Sequence, residues 1–319
     1  MNVVITGAAG FLGSRLANAL LAHNSKISVA RLVLIDLIQP SPYNDPRVTT
    51  LSVNLADPSA VDLIIQPDCH ILFHLAAVLS GQAEVDLDLG LRVNFDATRA
   101  LVETARRRAP NLRFVYTSTI GVFGGNLPSV INDLTAVTPE NSYGSQKAMC
   151  ELLLNDYARR GFVDSRIVRL PTVSIRAGTA NRAVTSFASG IIREPLNGKF
   201  SICPVGTAQK LYLTSPHTVV QNIIHAATIP ANALGSWRVV NLPGICVSVG
   251  DMIEALREVA GDQAASLVQF EQDEMIERMV ASFPSQCDYS RATSLGFAVD
   301  KHFIDIIRYY IRDDLNASN

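Results

Sequence analysis

The chain has 319 residues, of which 48% are hydrophobic and 18% charged, and carries a formal net charge of −2. That balance excludes a disordered chain and leaves no basic surplus for nucleic acid, so a globular fold acting on a small molecule is expected. Five scattered cysteines, Cys69, Cys150, Cys203, Cys246 and Cys287, lack C-x-x-C spacing; they read as buried thiols rather than a zinc knuckle or a disulfide framework, and no metal site is expected.

In chain order, Asn2 to Ile5 reads as a strand that ends at Thr6-Gly7-Ala8-Ala9-Gly10-Phe11-Leu12-Gly13, and Ser14 to Leu21 follows with apolar residues at helical spacing. No charged n-region or signal core precedes the strand and no apolar run is long enough to span a bilayer, so no membrane association and a cytoplasmic location are expected. Between a strand and a helix, Gly7, Gly10 and Gly13 permit a tight turn, close approach to a pyrophosphate and close packing of helix on sheet. A second strand, Arg31 to Ile35, ends at Asp36. A carboxylate there accepts hydrogen bonds from an adenosine ribose and repels a 2′-phosphate, which favours NAD over NADP.

Val48 to Val53 is a third strand, ending at Asn54-Leu55, and Asp57-Pro58 opens a helix with Val61, Ile64 and Ile65 on one face. His70 to Ala77 reads as a buried strand ending in small residues, Leu91 to Arg108 as a long helix, and Leu112 to Tyr116 as a strand leading into Thr117-Ser118-Thr119. The alternation predicts an α/β fold, a doubly wound parallel sheet with ligands at the carboxyl ends of its strands. Tyr143-Gly144-Ser145-Gln146-Lys147 then opens a helix that puts Tyr143 and Lys147 one turn apart. A phenol with a pKa near ~10 is a poor base at neutral pH, and a lysine ammonium beside it favours the phenolate. Taken alone, such a pair is common on exposed helices; the elements before it give it a setting.

Ser165 to Leu170 is a further strand, followed by Pro171-Thr172-Val173 and by an irregular stretch holding Arg176 and Arg182, then a helix ending at Pro195. A guanidinium in a substrate loop suits a carboxylate or phosphate, although a structural role is the plainer reading of any one of Arg176, Arg182 and Arg193. Trp237 to Asn241 reads as a strand, Ser248 as the cap of a helix to Ala260, and Lys301 to Arg312 as an amphipathic helix. Residues 1–170 are expected to form the nucleotide-binding domain, and 171–319 mainly a smaller substrate lobe with segments returning to the sheet.

Four motifs occur in one order: T-G-x-x-G-x-x-G at Thr6 to Gly13, His74-Leu75-Ala76-Ala77, Thr117-Ser118-Thr119 with Val122-Phe123-Gly124, and Y-x-x-x-K at Tyr143. Together they resemble the extended short-chain dehydrogenase/reductases, the NAD-dependent epimerase/dehydratase family. The resemblance implies an NAD(P)-binding Rossmann fold, with Tyr143 as acid/base and Lys147 holding the nicotinamide ribose. A hydroxyl, Thr119 by its place in the motif or Ser118 beside it, polarises the substrate oxygen, and Asn94 supports the lysine through water. Cofactor contacts are implied for Gly7, Gly10, Phe11, Leu12, Gly13, Asp36, Asn54, Leu55, Leu75, Ala76, Ala77, Asn94, Tyr143, Lys147, Pro171 and Val173. Asn54 departs from the Asp usual in the family, keeping hydrogen bonding but losing charge. A homodimer through the helix of Leu91 to Arg108 and the helix after Tyr143 is also implied.

Val78 to Glu84, Asp86 to Gly90 and Ser186 to Leu196 resemble the D-erythronate dehydrogenase branch, and that likeness runs through nearly the whole chain. It implies NAD-dependent oxidation of the C2 hydroxyl of a four-carbon sugar acid, with Ser80, Ser118, Tyr143, Arg176 and Arg182 at the substrate. Short-chain L-threonine 3-dehydrogenases share Ser118 to Gly124, and nucleotide-sugar 4-epimerases share the fold. Dehydration wants an acidic pair where Ile120 and Gly121 stand. A non-catalytic NAD sensor would need neither Tyr143 nor Lys147.

Overall fold

A computed structural model describes residues 1–178 and 183–315 of the chain. The buried run Val3-Val4-Ile5 forms strand β1 (Asn2–Thr6), apolar on both faces as a central parallel strand must be. Helix α1 (Phe11–Leu21) leads to β2 (Arg31–Asp36) and β3 (Val48–Ser52). A short turn capped by Asp57 precedes α2 (Val61–Ile64), and β4 (Ile71–His74) follows. Next come two short helices, α3 (Ser80–Val85) and α4 (Leu87–Gly90). A π-helical turn, Leu91–Asp96, then runs into α5 (Ala97–Arg108). Strand β5 (Arg113–Thr119), helix α6 (Ser142–Arg159) and strand β6 (Asp164–Leu170) complete this part, with a last strand at Val239–Asn241.

These strands form one seven-stranded sheet, ordered 239–241, β6, β5, β4, β1, β2, β3. The pairings of β1 with β2 and β4, β2 with β3, and β4 with β5 are all parallel. The chain moves outward from β1 to β3 and then returns to the other side of β1 as β4. That reversal opens a crevice at the carboxyl ends of β1 and β4. Beneath it lies a core including Leu72, Leu101, Phe114, Tyr116, Leu154 and Ile167. Each such Leu or Ile contributes roughly 1.5–3 kcal/mol on burial.

Three details differ from the sequence expectation. Strand β4 stops at His74; the Leu75 amide makes the last ladder bond, to the Thr6 carbonyl, and Leu75-Ala76 is then pressed against Gly7. Strand β5 runs on through Thr119, since the Thr117 and Ser118 hydroxyls find buried acceptors and can stay inside. The helix expected from Leu91 begins as a π turn, in which the Ala97 amide bonds to the Arg92 carbonyl.

The chain divides into two compact units, one of residues 1–122, 141–169 and 220–240, the other of 123–140, 170–219 and 241–319. The second unit thus takes residues 123–140 out of the stretch 1–170, while 220–240 belong to the first. Among its described residues, Ile245–Ser248, Lys210–Thr214 and Thr172–Val173 form a three-stranded sheet. Helices Phe187–Leu196, Val249–Ala265 and Phe303–Tyr310 close a core around Ile191, Met252, Leu256, Ile306 and Ile307. Ser248 caps the second of these through a capping box with Asp251. Buried Asp300 ties the unit together by accepting from Thr214 Oγ1, the Ser215 amide and hydroxyl, and Thr218 Oγ1. Among the described residues no helix is long and apolar enough to cross a membrane.

Candidate active site

The turn after β1 is built for close approach. Gly7 has φ +76°, and a Cβ there would lie 2.7 Å from the Ala76 amide nitrogen; one on Gly13 would lie 2.1 Å from the Gly7 carbonyl oxygen. Helix α1 opens at Gly10 with no side-chain cap and no acid in its first turn, so the positive end of its dipole stays available to an anion. At the end of β2, Asp36 accepts from the Ala9 amide at 3.0 Å and from the Leu37 amide at 2.7 Å. Its carboxylate is thereby latched to the glycine turn and remains half-buried at the rim.

Across the crevice, α6 is capped by Asn141, whose Oδ1 accepts from the Gly144 amide at 2.7 Å, while Glu84 of α3 accepts from the Ser142 amide at 2.9 Å. Tyr143 therefore sits in the first turn of α6, where the helix dipole favours a phenolate. Lys147, one turn on, is 1% exposed; its Nζ donates to the Thr117 carbonyl at 3.0 Å and lies 4.5 Å from the Tyr116 ring centroid and 5.7 Å from that of Tyr143. Burial pushes Lys147 down to about 8, against the raising influence of Cys150 and Glu151. Burial of its hydroxyl pushes the Tyr143 phenol up to about 12, so the positive charges of Lys147 and of a bound nicotinamide are what would bring it down.

The two candidate hydroxyls of β5 have different surroundings. Thr119 is half-buried, and its Oγ1 accepts from the Gly121 amide at 3.0 Å, which leaves its own proton to give. Ser118 is buried and donates to Glu151 Oε1 at 2.5 Å.

A phosphate-ready glycine turn, a ribose-level carboxylate and a Tyr-Lys pair thus surround the carboxyl ends of β1, β4 and β5. The family model described as the NAD dependent epimerase/dehydratase family matches residues 3–238. The chain belongs to this family. Among its relatives, D-erythronate dehydrogenase of Haemophilus influenzae is 48% identical over 316 residues, 99% of this chain and 100% of that protein. D-erythronate dehydrogenase of Cupriavidus necator is 47% identical, with 98% of each chain covered. A crystal structure described as the nucleoside-diphosphate-sugar epimerase from Agrobacterium tumefaciens superposes with a TM-score of 0.94 at 40% identity, over 99% of this chain and 95% of that one.

The residues present fit the family's cofactor, NAD. Phe11 and Leu12 supply first-turn amides beside Gly10 and Gly13, Asp36 offers a ribose acceptor, and half-buried Leu75, Ala76 and Ala77 line the floor after β4. Asn54 is exposed and accepts from the Ala56 amide at 3.0 Å, with Leu55 buried behind it. The Asn94 side chain is held directly: its Oδ1 accepts from the Val78 amide, and its Nδ2 donates to the Val78 carbonyl and to Gln146 Oε1. Placed in the π turn, it clamps the segment before α3, where half-buried Ser80 is the first helical residue.

In the second unit, Pro171 precedes the short strand Thr172–Val173 and Val173 ends it. Arg193 is buried, paired with Glu194 and donating to the Arg176 carbonyl at 2.8 Å. The half-buried Arg176 guanidinium has no partner among the described residues, and burial, with the Arg193 charge, lowers its pKa. Arg182 lies outside the described residues.

Glu151 and Arg169 near the site were not singled out from sequence, and His74, read there only as part of a motif, has a defined hydrogen-bonding role. Glu151 follows Lys147 by one helical turn and Arg169 stands near the end of β6; the two form an ion pair, each 1% exposed. His74 accepts from Thr6 Oγ1 at Nδ1 and meets Thr98 Oγ1 at Nε2, and Thr98 in turn donates to the Asn94 carbonyl, an arrangement that assigns the Nε2-H tautomer. Burial and the Lys147 charge hold this imidazole neutral, at about 3.

Proposed function

We propose that the protein oxidises D-erythronate at its C2 hydroxyl, forming 2-oxo-tetronate (2-dehydro-D-erythronate) and NADH, in sugar-acid catabolism. The observation that carries this reading is the match, over essentially the full chain, to two D-erythronate dehydrogenases, joined to an intact Tyr143, Lys147 and Thr119. Bound NAD supplies the hydride acceptor. Gly7, Gly10, Gly13 and the first turn of α1 hold its pyrophosphate, and Asp36 its adenosine ribose.

The chain's own residues handle the proton. Tyr143 as phenolate takes the C2 hydroxyl proton while C2 loses a hydride and becomes a carbonyl carbon. Lys147 spends one of its three N–H donors on Thr117 and keeps two for the nicotinamide ribose and for electrostatic support of the phenolate. Thr119 donates a hydrogen bond to the C2 oxygen and keeps its proton, and Ser80 at the head of α3 borders the substrate. We assign the substrate carboxylate to Arg176, a half-buried cation with no side-chain partner among the described residues, which an anion would satisfy. A cytoplasmic location agrees with five free cysteines, four of them buried. A homodimer would cover Met149 and Leu152 of α6, which are 38% and 57% exposed.

The 40% identity to a protein described as a sugar-nucleotide epimerase supports a second reading, in which hydride is taken and returned. The deciding experiment follows NADH with D-erythronate, D- and L-threonate, L-threonine and a UDP-sugar. NADH accumulation with D-erythronate is expected. Turnover of L-threonine alone, or UDP-sugar interconversion without net NADH, overturns the assignment.

A further inference from the structure

We propose that Glu151 and Arg169 are positioning residues: their buried ion pair accepts the hydroxyl hydrogen bond of Ser118 and so fixes the end of β5 against the helix that carries Tyr143 and Lys147. The proposal rests on the dehydrogenase reading only for its assay. Helix α6 presents Tyr143, Lys147 and Glu151 at four-residue spacing along one stripe, so the carboxylate is rigidly linked to the acid/base pair. Glu151 Oε1 accepts from Ser118 Oγ at 2.5 Å and from Arg169 Nε at 2.9 Å, and Oε2 accepts from Arg169 Nη2 at 2.6 Å.

Burying two charges is costly before their attraction is counted, and apolar residues of similar volume are often as stable. Stability is therefore a poor reason for the pair. What it does in this fold is join three elements, α6, β5 and β6, at one point behind the site. Residues 117–119 are each tied: the Thr117 carbonyl to Lys147 Nζ, the Ser118 hydroxyl to Glu151, and Thr119 Oγ1 to the Gly121 amide. Successive side chains in a strand face opposite ways, so anchoring Ser118 on the inner face holds Thr119 on the outer one. Because Ser118 has a single O–H donor and points it at Glu151, Thr119 is left as the hydroxyl that can donate to substrate. A shift of ~1 Å at such a strand end is enough to cost on the order of 10²-fold in rate.

The test compares native protein with Ser118→Ala, with the paired change Glu151→Leu/Arg169→Met, and with the triple variant. Pairing the second change avoids leaving one buried charge alone. Each variant is assayed on whichever substrate the native protein turns over, so failure on D-erythronate counts against the functional reading and not against this one. Expected are thermal midpoints within a few degrees of native and KM values within about threefold, as for a group that does not touch substrate. Both Ser118→Ala and the paired variant should lose about tenfold or more in kcat, and the triple variant should lose no more than the worse of them. A kcat within twofold of native in Ser118→Ala overturns the proposal even if the paired variant proves insoluble. Losses that multiply in the triple variant overturn it as well, since Glu151 would then not act through Ser118.

Discussion

Lys147 Nζ donates to the Thr117 carbonyl oxygen at 3.0 Å from a position almost wholly removed from solvent. The ammonium is thereby locked between β5 and α6, where burial makes its charged form costly and lowers it to about 8. An unfolded chain holds that proton to its ordinary value near ~10.4. Between about 8 and ~10.4 the unfolded state binds more protons than the folded one, so this lysine's contribution makes stability rise with pH across that window. Below it, the full penalty of the buried charge is present. Lys147→Met should therefore melt above the native protein at pH 7, by a gap that narrows as pH rises toward 10. Tyr143, raised to about 12, adds the opposite trend only at higher pH, above the ordinary phenol range. The same variant should lose turnover by roughly 10²–10⁴-fold. Melting curves at pH 7, 8 and 9.5 check the first claim, and a constant gap removes it.

Asp36 ties two recognition elements together, since one carboxylate accepts from Ala9 in the glycine turn and from Leu37 at the strand end. Asp36→Ala is expected to lower kcat/KM with NAD while leaving NADP less penalised, shifting the NAD/NADP ratio toward NADP by about tenfold or more, the scale of one charge-assisted hydrogen bond. Steady-state kinetics with each cofactor check it. An unchanged ratio would mean that discrimination arises elsewhere.

Much of this arrangement was legible in the sequence because it is local. The glycines fall between a strand and a helix, Asp36 closes the next strand, and Tyr143 and Lys147 are one helical turn apart. The parts that escaped depend on contacts distant in the chain. Glu151 looks like any helix glutamate until β5 and β6 arrive beside it, 33 and 18 residues away in sequence. Its place one turn after Lys147 was the only hint. The side chain of Asn94 bonds to Val78 and Gln146 from within a π turn, and apolar periodicity is too coarse to show one extra residue in a turn. Ser118 and Thr119 could not be told apart by type; the alternation of a strand that continues through Thr119 separates them.

Arg176 poses a problem that a ligand would solve. A half-buried guanidinium with no described partner and a second arginine nearby is held in its charged state at a cost, shown by the direction in which burial and Arg193 move it. Were the residue structural, Arg176→Met would destabilise the fold by removing a bonded group. On the present reading it removes an unsatisfied charge, so the thermal midpoint without ligand should hold or rise. Binding of the acid should suffer instead, with KM for the sugar acid raised by roughly 10–100-fold, the worth of a charge-assisted pair at ~1.5–3 kcal/mol. Because such a contact holds substrate and transition state alike, kcat should change little. Michaelis curves and melting curves on the same preparation separate the outcomes. A lowered midpoint with unaltered KM would make Arg176 a packing residue and move the carboxylate site to another cation.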